Sequence, residues 1–294
     1  MEGTMELSNL TWLSGEAFDE NALGAALLRR QGSSSSQSAL LHDFDMVILV
    51  LHEELEEGYQ IQDSLTGEIR SQILHVDLDS LQRSVITGDN NERISCILEG
   101  DIIWDPQGVL EQIRQEIIRF SKPLRDRILF VEFARLLHMY VKSKRYIQAG
   151  CIMDAYNCIL VALYHWARLE VTEQGRYPEP AVWEQVKELN SSVYKMYEEL
   201  TVSGETLEQR IQLAQLACEF SMMSQMGQSC SFLLNWMKER GETWSVQELL
   251  KHSDFQPVAL ELPLVLRKLA SRALVQEVAS WKEGGGCAVQ YAVC

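Results

Sequence analysis

The periodicity of apolar residues changes near Pro106, and this change separates a first region of the chain from a larger helical one. Before Pro106, short apolar runs alternate with turns, and residues 44–51 form a run rich in valine, isoleucine and leucine. Such a run predicts a strand buried on both faces. After Pro106, apolar residues recur at helical spacing, as Val109, Ile113 and Ile117 do. The pattern therefore predicts a small α/β region followed by a larger helical one.

The first region contains the elements of a small sheet. Further strands are predicted at residues 59–62, 69–76 and 101–104, and helices at residues 79–86 and 91–98. Residues 22–30 form a short apolar segment, and the glycine and serines that follow it are typical of a linker. Asp105 and Pro106 have the chemistry of a helix N-cap and a first helical residue, so a helix is expected to open there.

The second region predicts a helical bundle. Its helices are expected at residues 123–139, 146–173, 179–200, 206–222 and 229–238. Long amphipathic helices with short breaks between them are typical of such a bundle.

The last part of the chain has a different pattern. Short helices are predicted at residues 245–252 and 259–272, the second with Leu260, Leu264 and Leu269 facing inward, and a hairpin follows at residues 274–293. Two helices followed by a hairpin favour a winged-helix-like module.

Charge and cysteine content limit the functions open to this chain. The net charge of −16 disfavours nucleic-acid binding over most of the surface. Seven cysteines, an odd number with no pair at CxxC spacing, argue against a zinc site or a disulfide framework. The sequence contains no apolar stretch of about 18 residues and no secretory signal at its start. We therefore expect a cytoplasmic protein without a membrane span.

Acidic residues at the start of the first predicted strand have the spacing of metal ligands. Asp43 and Asp45 are two residues apart, so on an extended chain their side chains point to the same side. Mg²⁺ prefers oxygen ligands and bridges nucleotide phosphates in nucleotidyl transfer. A third carboxylate normally comes from a neighbouring strand, and Asp77 is the first candidate, with Asp79 the second.

This region resembles the nucleotidyltransferase superfamily, whose motif is a Gly-Ser or Gly-Gly pair followed, about ten residues later, by two aspartates separated by an apolar residue. The matching residues are Gly32-Ser33 and Asp43-Phe44-Asp45-Met46. The resemblance implies that Gly32 and Ser33 hold nucleotide phosphates with backbone amides. It also implies that Asp43 and Asp45 bind Mg²⁺ and that Asp77 assists catalysis.

A more specific resemblance covers residues 154–200, which are similar to a family of nucleotidyltransferase-like proteins of the Bacillales. It rests on Asp154-Ala155-Tyr156-Asn157 and on the segments 165–171 and 193–200. The resemblance implies an α+β chain in three parts. These are a nucleotidyltransferase-like mixed-sheet domain at residues 1–121, a helical bundle at 122–240 and a winged-helix-like module at 241–294.

Two functions follow as alternatives. Members of that family carry an incomplete acidic motif, and here Gln31 stands where the superfamily has an apolar residue. This favours a degenerate, non-catalytic regulatory or scaffolding protein, with a protein partner or a second copy as its binding partner. The alternative is a Mg²⁺-dependent enzyme that transfers a nucleotide from a nucleoside triphosphate to an unknown acceptor.

Two further groups of polar residues are weighed against packing roles. One helix face carries His165 and Arg168, which could act as a base and a phosphate ligand, but we favour a hydrogen-bonded network that ties helices together. The C-terminal module offers cations to DNA, but acidic residues are mixed among them, so DNA contact is not favoured; the cations are Lys251, Arg267, Lys268, Arg272 and Lys282.

Overall fold

The computed structural model describes residues 21–29, 44–56, 58–66, 69–189, 191–281 and 287–294. The chain forms two compact units, Met1–Arg119 and Phe120–Cys294. No helix in these ranges combines the length and the apolar character needed to cross a bilayer. The cysteine side chains described are all free thiols, at positions 96, 151, 158, 218, 230 and 294.

The first unit is built on a mixed sheet. Its strands are β1 (Ala22–Arg29), β2 (Met46–His52), β3 (Tyr59–Thr66), β4 (Ile69–Asp77) and β5 (Asp101–Trp104). They lie in the order β3-β4-β2-β1-β5, and β2 and β4 are parallel while every other pair is antiparallel. The parallel pair β2 and β4 therefore lies inside the sheet, and β2 is its central strand.

Strand β2 matches the expectation from its apolar run, because residues 47–52 are all buried. Strand β1 was missed as a strand. Its alanines, leucines and glycine have little strand preference, and it is held by pairing with β2 and β5 on either side. Gly24 is closely surrounded, since a Cβ at this position would lie 2.8 Å from Cδ1 of Leu110 and 3.1 Å from the carbonyl oxygen of Trp104.

The helices of the first unit are α1 (Leu78–Thr87), α2 (Asn91–Leu98) and α3 (Val109–Arg119). The expected start of α3 at Pro106 is wrong, because Gly108 has a φ of 72° and the helix begins only after it. Asp105 still caps this helix, from further away, by accepting a hydrogen bond from the backbone N–H of Glu111 (2.9 Å).

The second unit begins with long packed helices. They are α4 (Lys122–Gln148), α5 (Ile152–Glu173), α6 (Val182–Glu188), α7 (Ser192–Val202), α8 (Leu207–Ser229) and α9 (Ser231–Arg240). A buried polar chain ties three of them: Gln215 of α8 donates to Ser143 of α4, which donates to the carbonyl of Ala155 in α5, both at 2.9 Å.

Three of the predicted helix limits are wrong, and one of them is the end of α8, which was expected at residue 222 and lies at Ser229. Helix α4 continues through residues 140–145, where a break was expected, because Tyr140 and Ser143 pack into the interior. The break comes at Gly150, with a φ of 74°. The single helix expected at residues 179–200 is two, and Ser191 caps the second by accepting from the N–H of Val193 (3.2 Å).

The C-terminal part contains α10 (Val246–Leu249), a 3-10 helix (Ser253–Val258), α11 (Leu262–Ala270) and a hairpin of β6 (Val275–Trp281) and β7 (Cys287–Val293). Trp244 adds a short bridge to Tyr291 of β7, with both backbone hydrogen bonds at 2.9 Å. The expected inward position of Leu260 is wrong, since it precedes α11 and is 83% exposed. The buried face of α11 comprises Leu262, Val265, Leu266 and Leu269.

Candidate functional site

The two carboxylates expected to share a metal ion lie at opposite ends of the parallel strand pair. Asp45 directly precedes β2, and its backbone N–H donates to the carbonyl of Arg70 near the start of β4 (2.8 Å). Asp77 ends β4 and pairs with His52 at the far end of β2. At about 3.3 Å per residue, this places the two aspartates roughly 20 Å apart. The expectation that they act on one ion is therefore wrong, and the strand register is the reason.

Both carboxylates are also engaged in local structure. Oδ2 of Asp45 accepts a hydrogen bond from the backbone N–H of Arg70 (2.8 Å). Oδ1 of Asp77 accepts from the backbone N–H of Ser80 (2.6 Å) and so caps the N-terminus of α1. Asp79, the second candidate, is exposed on that helix.

The rest of the predicted phosphate and metal site lies outside the described residues, at Gly32, Ser33 and Asp43. Within the described ranges, no group of three or more histidine, cysteine, aspartate or glutamate side chains is arranged to hold a metal ion. Of the expected Mg²⁺ ligands, Asp45 lies within the described residues, and Asp77 does not complete a site around it.

The carboxyl end of the parallel pair carries a cluster that the sequence analysis did not single out. His52 Nε2 and His75 Nδ1 are 2.9 Å apart. Since a hydrogen bond needs one donor and one acceptor, at least one of these rings is neutral in this arrangement. Close to Asp77, Arg93 lies 5.3 Å from the ring centre of Tyr59 and donates to the hydroxyl of Ser80 (3.2 Å).

The second unit contains a buried charged cluster, Glu132, His165 and Arg168, between α4 and α5. Glu132 is fully buried, and its Oε1 accepts from Arg168 Nε (2.5 Å) while its Oε2 lies 2.7 Å from His165 Nδ1. Arg168 is only 2% exposed. The prediction of a hydrogen-bonded network tying helices together is confirmed for His165 and Arg168, whose common partner is Glu132.

Charge pairing inside this cluster outweighs burial. Burial opposes ionisation of Glu132, but Arg168 and His165 favour the carboxylate strongly enough to lower its pKa. Burial lowers the pKa of Arg168, and the adjacent Glu132 reverses the effect and raises it. The Tyr177 hydroxyl is held protonated, because burial raises its pKa despite the nearby Arg168. At neutral pH, Glu132 and Arg168 therefore form a buried ion pair.

One donor of this cluster has no partner in the part of the chain that the structure describes. It is Nη2 of Arg168, which is buried. The guanidinium lies 5.8 Å from the ring centre of Tyr164, so its face is covered. The Glu132–Arg168 pair has no net charge, because Glu132 balances the charge of Arg168. Its one remaining hydrogen-bond donor can orient a small polar group or water.

Glu132 is the residue of this cluster that the sequence analysis missed. A signal was available, because it is the one charged position in the run 128–134, Ile-Leu-Phe-Val-Glu-Phe-Ala. A charged residue on an otherwise apolar stretch of helix is almost never fully buried unless it is paired.

The cations offered to DNA by the C-terminal part are partly engaged elsewhere. Arg272 Nη2 lies 2.7 Å from the sulfur of Met223 in α8. Lys268 is close enough to Glu219 of α8 to contribute to lowering its pKa, an effect led by the hydrogen bond from Tyr140. These two side chains are therefore directed towards α8.

Comparison with known proteins gives the class to which the chain belongs. Residues 8–127 match the family profile described as nucleotidyltransferase-like, and residues 126–225 match the one described as YgxA-like substrate binding domain. The crystal structure of a nucleotidyltransferase-like protein from Exiguobacterium sibiricum 255-15 is similar over 97% of this chain and 98% of that one. Its TM-score is 0.83 and its sequence identity 26%.

The family follows from a curated relative. The uncharacterized protein YgxA of Bacillus subtilis (strain 168) is 31% identical over 260 residues, which is 88% of this chain and 87% of that protein. The chain belongs to the YgxA family of nucleotidyltransferase-like proteins.

Proposed function

We propose that this protein is a non-catalytic, cytoplasmic member of its family that serves as a regulatory or scaffolding protein. The observation that carries the proposal is the separation of Asp45 and Asp77 along the parallel strands, roughly 20 Å at about 3.3 Å per residue. Two-metal or one-metal nucleotidyl transfer needs carboxylates from different strands to converge on one ion.

The local roles of the two aspartates support the same proposal. Asp77 caps α1 and Asp45 holds the start of β4, so each has a structural reason to be present without a metal ion. The free buried thiols of Cys218 and Cys230 agree with a reducing compartment.

The test is a transfer assay on the full chain with Mg²⁺ and each of the four labelled nucleoside triphosphates. We expect no labelled product, and the same result for Asp43→Asn, Asp45→Asn and Glu116→Gln. Glu116→Gln is the matched control, since it removes one exposed charge of α3 in the same unit and is not a candidate metal ligand.

Transfer that is lost in Asp43→Asn and Asp45→Asn but kept in Glu116→Gln would overturn the proposal. It would establish the alternative, a Mg²⁺-dependent nucleotidyltransferase whose third carboxylate is a residue other than Asp77.

For the C-terminal part we propose a winged-helix-like module that packs against protein rather than DNA. The bridge from Trp244 to β7, the short helices and the hairpin support the winged-helix-like arrangement. The direction of Lys268 and Arg272 towards α8 favours protein packing. Fluorescence anisotropy with labelled duplex DNA tests this, and we expect no binding. Salt-sensitive binding that is lost in Arg267→Gln would contradict it.

A further inference from the structure

Helix α8 carries an apolar stripe on its exposed side. The stripe consists of Leu213, Leu216, Phe220 and Met223, which are 47%, 66%, 79% and 43% exposed. The spacing of three, four and three residues places them on one face of the helix, as in the seam of a coiled coil. The opposite face of α8 is buried in the bundle through other residues, including Ile211, Cys218 and Met222.

The stripe is symmetric along the helix. Leu213 and Met223 lie at equal distances on either side of Cys218, and Leu216 and Phe220 lie at equal, shorter distances. In an antiparallel pair of α8 helices centred on Cys218, each Leu213 meets a Met223, and each Leu216 meets a Phe220. A patch that is complementary to itself in this way is what a two-fold interface between identical chains requires.

The surroundings of the stripe keep acidic side chains away from the proposed contact. Two copies of a chain with a net charge of −16 repel each other over most of their surface. Exposed residues of α8 itself beside the stripe are uncharged, namely Gln209, Gln212, Ser224 and Gln228. Arg272 lies against the sulfur of Met223 and adds a cation, not an acid, at one end of the stripe. The nearest acid, Glu219, is paired with Lys144 at 3.3 Å and accepts a hydrogen bond from Tyr140. Like charges therefore do not meet along the seam.

The area is also sufficient. The four side chains expose on the order of 500 Å² of apolar surface, which equals the largest patch on a typical monomer. Two such stripes in contact would bury about 1,000 Å², the lower limit for a specific interface, before flanking residues are added.

We propose that α8 is a homodimer interface, in which two copies of this chain pack their α8 helices antiparallel about a two-fold axis at the level of Cys218. Leu213, Leu216, Phe220 and Met223 of each copy form its apolar centre. Because the arrangement depends on α8 alone, it is independent of whether the first unit binds a nucleotide.

Sedimentation velocity of the full chain tests the interface. We expect a dimer for the wild type and a weakening of self-association by roughly tenfold or more for Phe220→Glu, because each copy then buries an unpaired carboxylate. Leu260→Glu is the matched control, since it removes an apolar side chain that is 83% exposed but is not part of the stripe. A monomeric wild type, a Phe220→Glu variant that dimerises like the wild type, or equal weakening by Leu260→Glu would overturn the proposal.

Disulfide trapping tests the antiparallel register. In a background with serine at positions 151, 287 and 294, a chain carrying Leu216→Cys is mixed with one carrying Phe220→Cys and oxidised. We expect the mixed disulfide dimer to form faster than either homodimer, because these two positions lie opposite each other in the proposed arrangement. Equal rates for all three pairings would contradict the register and overturn the proposal.

Discussion

At the scale of single residues, the helical unit contains two glutamates whose pKa values shift in opposite directions although burial raises both. Glu132 keeps its charge because Arg168 and His165 lie against it, and its pKa is lowered. Among the described residues no cation lies beside Glu173, so burial, together with the neighbouring Glu170, raises its pKa to about 7. The two pKa values therefore differ because of the charged groups beside each carboxyl, not because of how deeply it is buried. Each glutamate gives a separate test.

Removing the charge of Glu132 is expected to destabilise the protein strongly. Glu132→Gln leaves the buried Arg168 without its anion, and breaking a buried pair in this way costs about 3–5 kcal/mol. Urea unfolding at neutral pH measures the effect. The control is Glu188→Gln, which breaks an exposed pair with Arg176 and should cost less than about 1 kcal/mol. Equal costs for the two variants would show that the buried pair contributes nothing beyond a surface contact.

Glu173 is expected to make stability fall as pH rises. Since its pKa is about 7 when folded and near 4.5 when unfolded, the folded chain binds more protons between these values, and stability is lost across that window. Glu173→Gln should remove this slope, a change on the order of 1–2 kcal/mol for a partly exposed group.

The measurement is the free energy of unfolding at about pH 5 and about pH 8, on either side of that window. Gln225 donates to Oε2 of Glu173, and a glutamine at position 173 retains an acceptor for it. Glu184→Gln, an exposed glutamate on α6, is the control. If Glu173→Gln keeps the slope of the wild type, another group is responsible.

At the scale of elements, sequence periodicity predicted which helices and strands exist better than it predicted where each one begins and ends. Strand β2, helix α2 and the final hairpin could be predicted because their local pattern agrees with their tertiary surroundings. Strand β1 could not, since Ala-Leu-Gly-Ala-Ala-Leu-Leu-Arg has no strand preference of its own and is fixed by two neighbours. The continuation of α4 depends on Ser143, whose partners come from α5 and α8.

The candidate site shows the same limit more sharply. The two-residue spacing of Asp43 and Asp45 can be seen in the sequence itself. Whether Asp77 lies close to these two aspartates depends on the direction and register of the strands. Those follow from the parallel pairing of β2 and β4, which no local pattern encodes. Glu132 illustrates the reverse case, because its burial could have been inferred from its apolar neighbours, while its partners on α5 could not.

At the scale of the whole molecule, net charge and the proposed α8 interface act against each other. Each copy carries −16, so bringing two together costs electrostatic free energy that depends on screening rather than on the seam itself. The Debye length falls from about 30 Å at 0.01 M salt to about 8 Å at 0.15 M. The apolar contacts of the stripe change little over this range, so the repulsion is the part that salt removes.

Dimerisation of the full chain is therefore expected to strengthen as sodium chloride is raised from about 0.01 M to about 0.15 M. This is opposite in sign to the effect of salt on an interface held by ion pairs or on binding to DNA. Sedimentation equilibrium at the two salt concentrations measures the dissociation constant, and the same series with an uncharged osmolyte separates screening from general effects of solute. A dissociation constant that rises with salt would mean that charged residues hold the copies together, and the apolar stripe of α8 would then not be the principal contact between them.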